Sequence, residues 1–228
     1  MPRIFAATSG PEGWKAHPDA PDRHWRPGFS AMATALCREH WQDIPPEIAL
    51  LLGNDMALQL AVLEHEVPLP GSGLGDSQCD VVPLERADVR DVALAVAVAA
   101  KVDETFGPTI AHWPQNASRG KRDRLSATCA VLDTPDTPAG ALRHQLFRRT
   151  AAAVIEARRF LRPVAAMVVQ SFSPAGRWRT DFDAFAAHPG AQAGADGIGR
   201  KRLPCGTGPI LGWAAGDQRF RAPLPAAG

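Results

Sequence analysis

The run Val92-Ala93-Leu94-Ala95-Val96-Ala97-Val98-Ala99-Ala100 is apolar at every position and stops at Lys101. Successive side chains of a strand point to opposite faces, so a strand that is apolar throughout must be covered on both sides. Val92, Val96 and Val98 suit strand alternation, whereas the alanines weaken strand propensity, and a helix capped by Asp91 is the alternative. Read as a strand, the run is central in a sheet with helices on both faces, which defines an α/β fold. Lys101 then closes a buried strand, and a buried ammonium is costly unless something compensates it.

The neighbouring segments support this frame. Residues 1–29, rich in Pro, Gly, His and Trp, read as an irregular arm packed through Trp14 and Trp25. An α/β domain spans 30–187. Ser30 is placed to cap a helix through Trp41, and Pro45-Pro46 opens a second helix ending near Gly53. Strands are expected over Leu58–Leu69, Gln78–Leu84, Val92–Val102 and Val164–Phe172, with helices over Arg122–Leu132, Pro138–Leu161 and Asp181–Ala187. Gly71–Asp76 reads as a loop and Arg86–Asp91 as a polar turn. Residues 188–228 form a Gly/Ala/Pro-rich segment with an edge strand at Ile210–Ala214. The core order is helix, three strands, helix, strand in a mixed central sheet with flanking helices.

The net charge of +1 makes no global case for nucleic acid, although a local basic patch would suffice. The four cysteines include no Cys-x-x-Cys pair, so they read as free thiols of a reducing compartment rather than a zinc site. There is no signal-peptide-like apolar run, and the longest apolar stretch is far too short to span a bilayer. The expectation is a cytoplasmic protein with no membrane partner.

Asp80 near the start of the second strand, and Ala99-Ala100-Lys101 at the end of the third, carry a resemblance. The order and these residues resemble the PD-(D/E)xK, or restriction-endonuclease-like, superfamily over about residues 45–172. The stretch also looks like an uncharacterised bacterial family known as a domain of unknown function. The first resemblance implies Mg²⁺-dependent phosphodiester hydrolysis of DNA or RNA. Asp80 and Glu64 would hold the metal, with Glu47 a second candidate for the upstream acid. Lys101 would stabilise charge, and Gln145 would position substrate. Mg²⁺ takes hard oxygen ligands, and one or two carboxylates suffice alongside phosphate. Ala99 stands where the superfamily has an acid, so the site reads as degenerate. Asp103 shares the alternation of Lys101 but lies too far along a strand to replace that acid.

Arg149, one helical turn after Gln145, is a candidate phosphate ligand, set against a solvated helix face. Lys121 and Arg122 are candidates for nucleic-acid backbone contact, set against a plain charged turn. His65 reads as structural, pointing away from Glu64 if the strand is regular. The alternatives to a degenerate nuclease are a non-catalytic nucleic-acid-binding or regulatory protein, and a structural protein with a buried Lys101–Asp80 pair.

Overall fold

The computed structural model describes residues 10–16, 24–53, 56–70, 77–87, 92–113, 119–135, 140–188, 192–193, 199–200, 203, 206 and 208–222, with the backbone alone for 77–87, 92–93, 192–193 and 199–200. The strands are β1 (Met56–Val67), β2 (Ser77–Ala87), β3 (Val92–Lys101), β4 (Val164–Ser171), β5 (Gln192–Ala193), β6 (Gly199–Arg200) and β7 (Gly208–Ala215). The α-helices are α1 (Ser30–Trp41), α2 (Pro46–Leu52), α3 (Arg119–Val131), α4 (His144–Arg159) and α5 (Arg179–Ala186), with 3-10 turns at Pro11–Ala16 and Gln218–Arg221. The expected loop at 71–76 lies outside the described residues, as do 88–91 of the polar turn.

All seven strands form one mixed sheet in the order β1-β2-β3-β4-β7-β6-β5. β3, β4 and β7 run parallel, and the other pairings are antiparallel. The expected helix–strand–strand–strand–helix–strand order is present. β3 is a strand despite its alanines, because it hydrogen-bonds on both edges and is apolar on both faces. Leu94, Val96 and Val98 join Ile44 and Ile48 in the cluster on the α2 side. Ala95, Ala97 and Ala99 join Leu146, Phe147 and Ala153 in the cluster under α4. The small alanines let α4 lie close against β3 and β4.

Three expectations need correction. The strand at the C-terminal end is not an edge: β7 pairs with β4 on one side and β6 on the other. Gly212 fits there because a Cβ would fall 2.2 Å from Leu51 Cδ2 of α2. Helix α1 is not capped by Ser30; Ser30 is its first residue, and its backbone N–H donates to Glu104 Oε1 at 2.8 Å from across the fold. Helix α4 starts at His144 rather than near Pro138, because Arg143 is extended and bridges to Thr109. Its end is a Schellman turn, with the Leu161 N–H on Arg158 O, the Arg162 N–H on Ala157 O, and Leu161 in the left-handed region at φ 54°. Of the expected N-terminal arm, Trp14 is buried in the α2-side cluster and Trp25 packs against it. No helix among the described residues is long and apolar enough to cross a membrane.

Candidate functional site

The expected site residues come from three adjacent strands. Val81 pairs with Val98, so position 80 falls opposite Ala99. Leu63 pairs with Val81 and His65 with Cys79, so position 64 falls opposite position 80. Lys101 is two residues beyond Ala99 and lies beside Ser171 of β4. Positions 64, 80, 99 and 101 therefore gather at one end of the sheet, the carboxyl end of its parallel strands. In open α/β sheets ligands bind preferentially at that end.

The local geometry departs from a regular strand at Glu64, where φ is +45°. Leu58, Ala61 and Leu63 belong to the α2-side cluster, but Val67 belongs to the α4-side cluster. His65 also reaches toward α4, its Nε2 3.4 Å from Glu156 Oε2. The alternation thus reverses at Glu64, and His65 faces a helix that regular pleating would have denied it. Arg159 Nη1 lies 3.4 Å from the other oxygen of Glu156. Glu156 is fully buried, and sequence reasoning missed it. Its position three residues after buried Ala153 was the available signal.

Lys101 is only 5 % exposed, and its ammonium lies 5.5 Å from the centroid of the Phe106 ring. Ala99 is 1 % exposed and packed under α4. It presents a methyl group where a metal would need an oxygen. β3 ends at Lys101, and the Asp103 carboxylate turns to Arg221 Nη2 at 2.8 Å and Arg177 Nε at 3.7 Å. Glu104 is likewise occupied, accepting from the backbone N–H groups of Ser30 and Val102. Glu47 lies on the other face of the sheet, where Gln170 Nε2 donates to it at 2.6 Å. Among the described residues no three His, Cys, Asp or Glu side chains converge as a metal site. Of the two expected ligands, Asp80 is described by its backbone alone, and Ala99 beside it offers no oxygen.

Gln145 and Arg149 sit in the first turns of α4, which packs on β3 and β4. Gln145 Oε1 is buried with no hydrogen-bond partner among the described residues. Arg149 is 8 % exposed, so it does not belong to a solvated helix face. His144, unassigned in the sequence, stacks on Trp113 with ring centroids 3.7 Å apart and planes 17° apart. Burial, then the charges of Arg148 and Arg124, push the His144 pKa down to about 3. Lys121 and Arg122 are exposed in the first turn of α3, and Lys121 Nζ lies 5.9 Å from the Trp113 ring. The Trp113–His144 pairing left no sequence signal, because the two residues are far apart in the chain.

Charge is segregated. Helices α3 and α4 hold eight basic and two acidic residues, a net +6, against 17 and 22 in the rest of the chain, a net −5. The fold and these positions define a mixed α/β domain with a basic helical layer over one face of its sheet. The chain belongs to the family described as a domain of unknown function (DUF6946), whose model matches residues 7–218. No curated relative and no solved structure matches it.

Proposed function

We propose that this chain is a restriction-endonuclease-like domain that binds DNA or RNA through the α3–α4 face, and that its metal-dependent nuclease site is degenerate. The segregation of charge carries the reading: a chain of net +1 concentrates +6 on two adjacent helices. Cations so arranged release counterions when they meet phosphates. Lys121 and Arg122 supply exposed backbone contacts, and Arg149 adds its charge from a buried place on α4. The strand order and the end at which positions 64, 80, 99 and 101 gather support the superfamily resemblance. Ala99 and the burial of Lys101 support loss of the chemistry, since hydrolysis needs oxygen donors and an accessible ammonium. The setting is cytoplasmic, where the buried thiols of Cys37 and Cys129 stay reduced.

The test is fluorescence anisotropy on labelled DNA and RNA at several salt concentrations. Log affinity should fall linearly with log salt, and Lys121→Gln/Arg122→Gln should make the slope shallower by about 1.4 on single strands. Salt-independent binding, or binding indifferent to these changes, would overturn the reading. Incubation with Mg²⁺ or Mn²⁺ should produce no cleavage. Metal-dependent cleavage that disappears in Lys101→Ala would show an intact site.

A further inference from the structure

The turn at 109–113 is held by hydrogen bonds to its neighbours and within itself. The Ile110 N–H donates to Leu142 O at 2.8 Å, the Ala111 N–H to Gly140 O at 2.9 Å, and the Trp113 N–H to Thr109 O at 2.8 Å. Thr109 Oγ1 and His112 Nδ1 share a further bond of 2.8 Å. Trp113 at the end of this turn is half-buried. Its partner His144 is 3 % exposed, and His144 Nε2 is buried with no hydrogen-bond partner among the described residues. The result is a flat aromatic pair that the turn and α4 bring together. Cations border it: Lys121 Nζ lies near the indole, and Arg124 and Arg148 act electrostatically on His144.

We propose that the Trp113–His144 stack is a platform for an unpaired nucleobase, so that single-stranded nucleic acid is the preferred ligand of the basic face. The inference rests on the nucleic-acid reading above and deepens it. An indole offers its π-face to any base, and the flexible Lys121 over the ring and its exposed neighbour Arg122 supply charge for the phosphates. Bases inside a duplex are already stacked and present only their edges. An acidic peptide would use the cations but has no need of a rigid aromatic plane. The buried imidazole gives the indole a neutral backing, which leaves the Lys121 ammonium over the ring to select the anion.

The test compares a labelled oligothymidylate, an abasic strand of the same length, and the matching duplex, by anisotropy. The oligothymidylate should bind about tenfold tighter than the abasic strand. Trp113→Ala should erase that ratio and leave abasic affinity unchanged, while Trp113→Phe should retain part of it and guards against a folding defect. Lys121→Gln should weaken both strands alike. Equal binding of the two strands by the unaltered protein, a ratio that survives Trp113→Ala, or tighter binding of the duplex would overturn the platform and leave the nucleic-acid reading standing. Displacement of both strands alike by polyglutamate would also overturn it. Binding of neither strand would remove both.

Discussion

Ala99→Glu is the change that sequence spacing recommends, because it restores the acid that the superfamily pattern carries. The tertiary structure predicts that it damages the fold instead. Ala99 is 1 % exposed, in the cluster that holds Ala97, Val169, Leu146 and Phe147 under α4. Overpacking a filled core costs about 1–3 kcal/mol. Desolvating a carboxylate that gains incomplete hydrogen bonding costs roughly another 1–3 kcal/mol. Lys101 is two positions along on the same face, and a buried ion pair roughly breaks even against an apolar neighbour, so its help is small. The expected loss is about 4 kcal/mol. Read by urea denaturation followed by circular dichroism, that lowers the midpoint by about 1.6 M at a slope of about 2.5 kcal/mol per molar. Ala99→Gln, of equal volume and no charge, should lose about half as much. Millimolar Mn²⁺ should not restore the midpoint of Ala99→Glu, because stabilisation by a ligand requires a site in the folded state. An Ala99→Glu protein as stable as the parent, with a midpoint that Mn²⁺ raises, would refute this reasoning and show an open metal site lacking one ligand.

Three other outcomes follow from particular contacts. His144 stays neutral in the fold with its pKa pushed down to about 3, below its ordinary 6.5, so the unfolded chain takes up a proton first as pH falls. Its contribution is whole above about pH 6.5 and is lost toward pH 3; by pH 5 the loss is about 2 kcal/mol, and His144→Phe should flatten that slope in urea titrations, an unchanged slope being the contrary result. The Cys37 thiol is pushed up to about 12, chiefly by burial, so iodoacetamide at pH 8 should label it only after denaturation; mass-spectrometric labelling of the native protein would contradict this. Leu161 is 90 % exposed at the left-handed position of the α4 C-terminus, where Leu161→Gly should raise stability by about 1 kcal/mol, and a lower melting temperature would count against the strain argument.

Much of the fold was legible because its signals are local. The apolar run at 92–100, the prolines at 45–46 and the turn residues bounding 164–172 specify element type through periodicity and backbone restriction. The end of the sheet where positions 80, 99 and 101 meet was also legible, since antiparallel pairing of consecutive strands brings them together. Pairing between distant segments was not. Whether Lys101 is reachable depends on its burial near Phe106, which no spacing in β3 reveals. The direction of His65 depends on one left-handed residue, Glu64, and its meeting with Glu156 is decided by where α4 crosses the sheet.

By itself, then, the amino-acid sequence determined that β3 is central, that helices cover both faces, and that position 99 carries a methyl group rather than an acid. These follow from hydrophobic alternation and residue identity, which act over a few neighbours. The tertiary structure alone decided that β7 is interior, that Ala99 and Lys101 are core positions, and that Trp113 stacks on the buried His144 beside Lys121. Those outcomes depend on which elements share a layer, and burial against a distant partner is a property of the packed chain rather than of any segment.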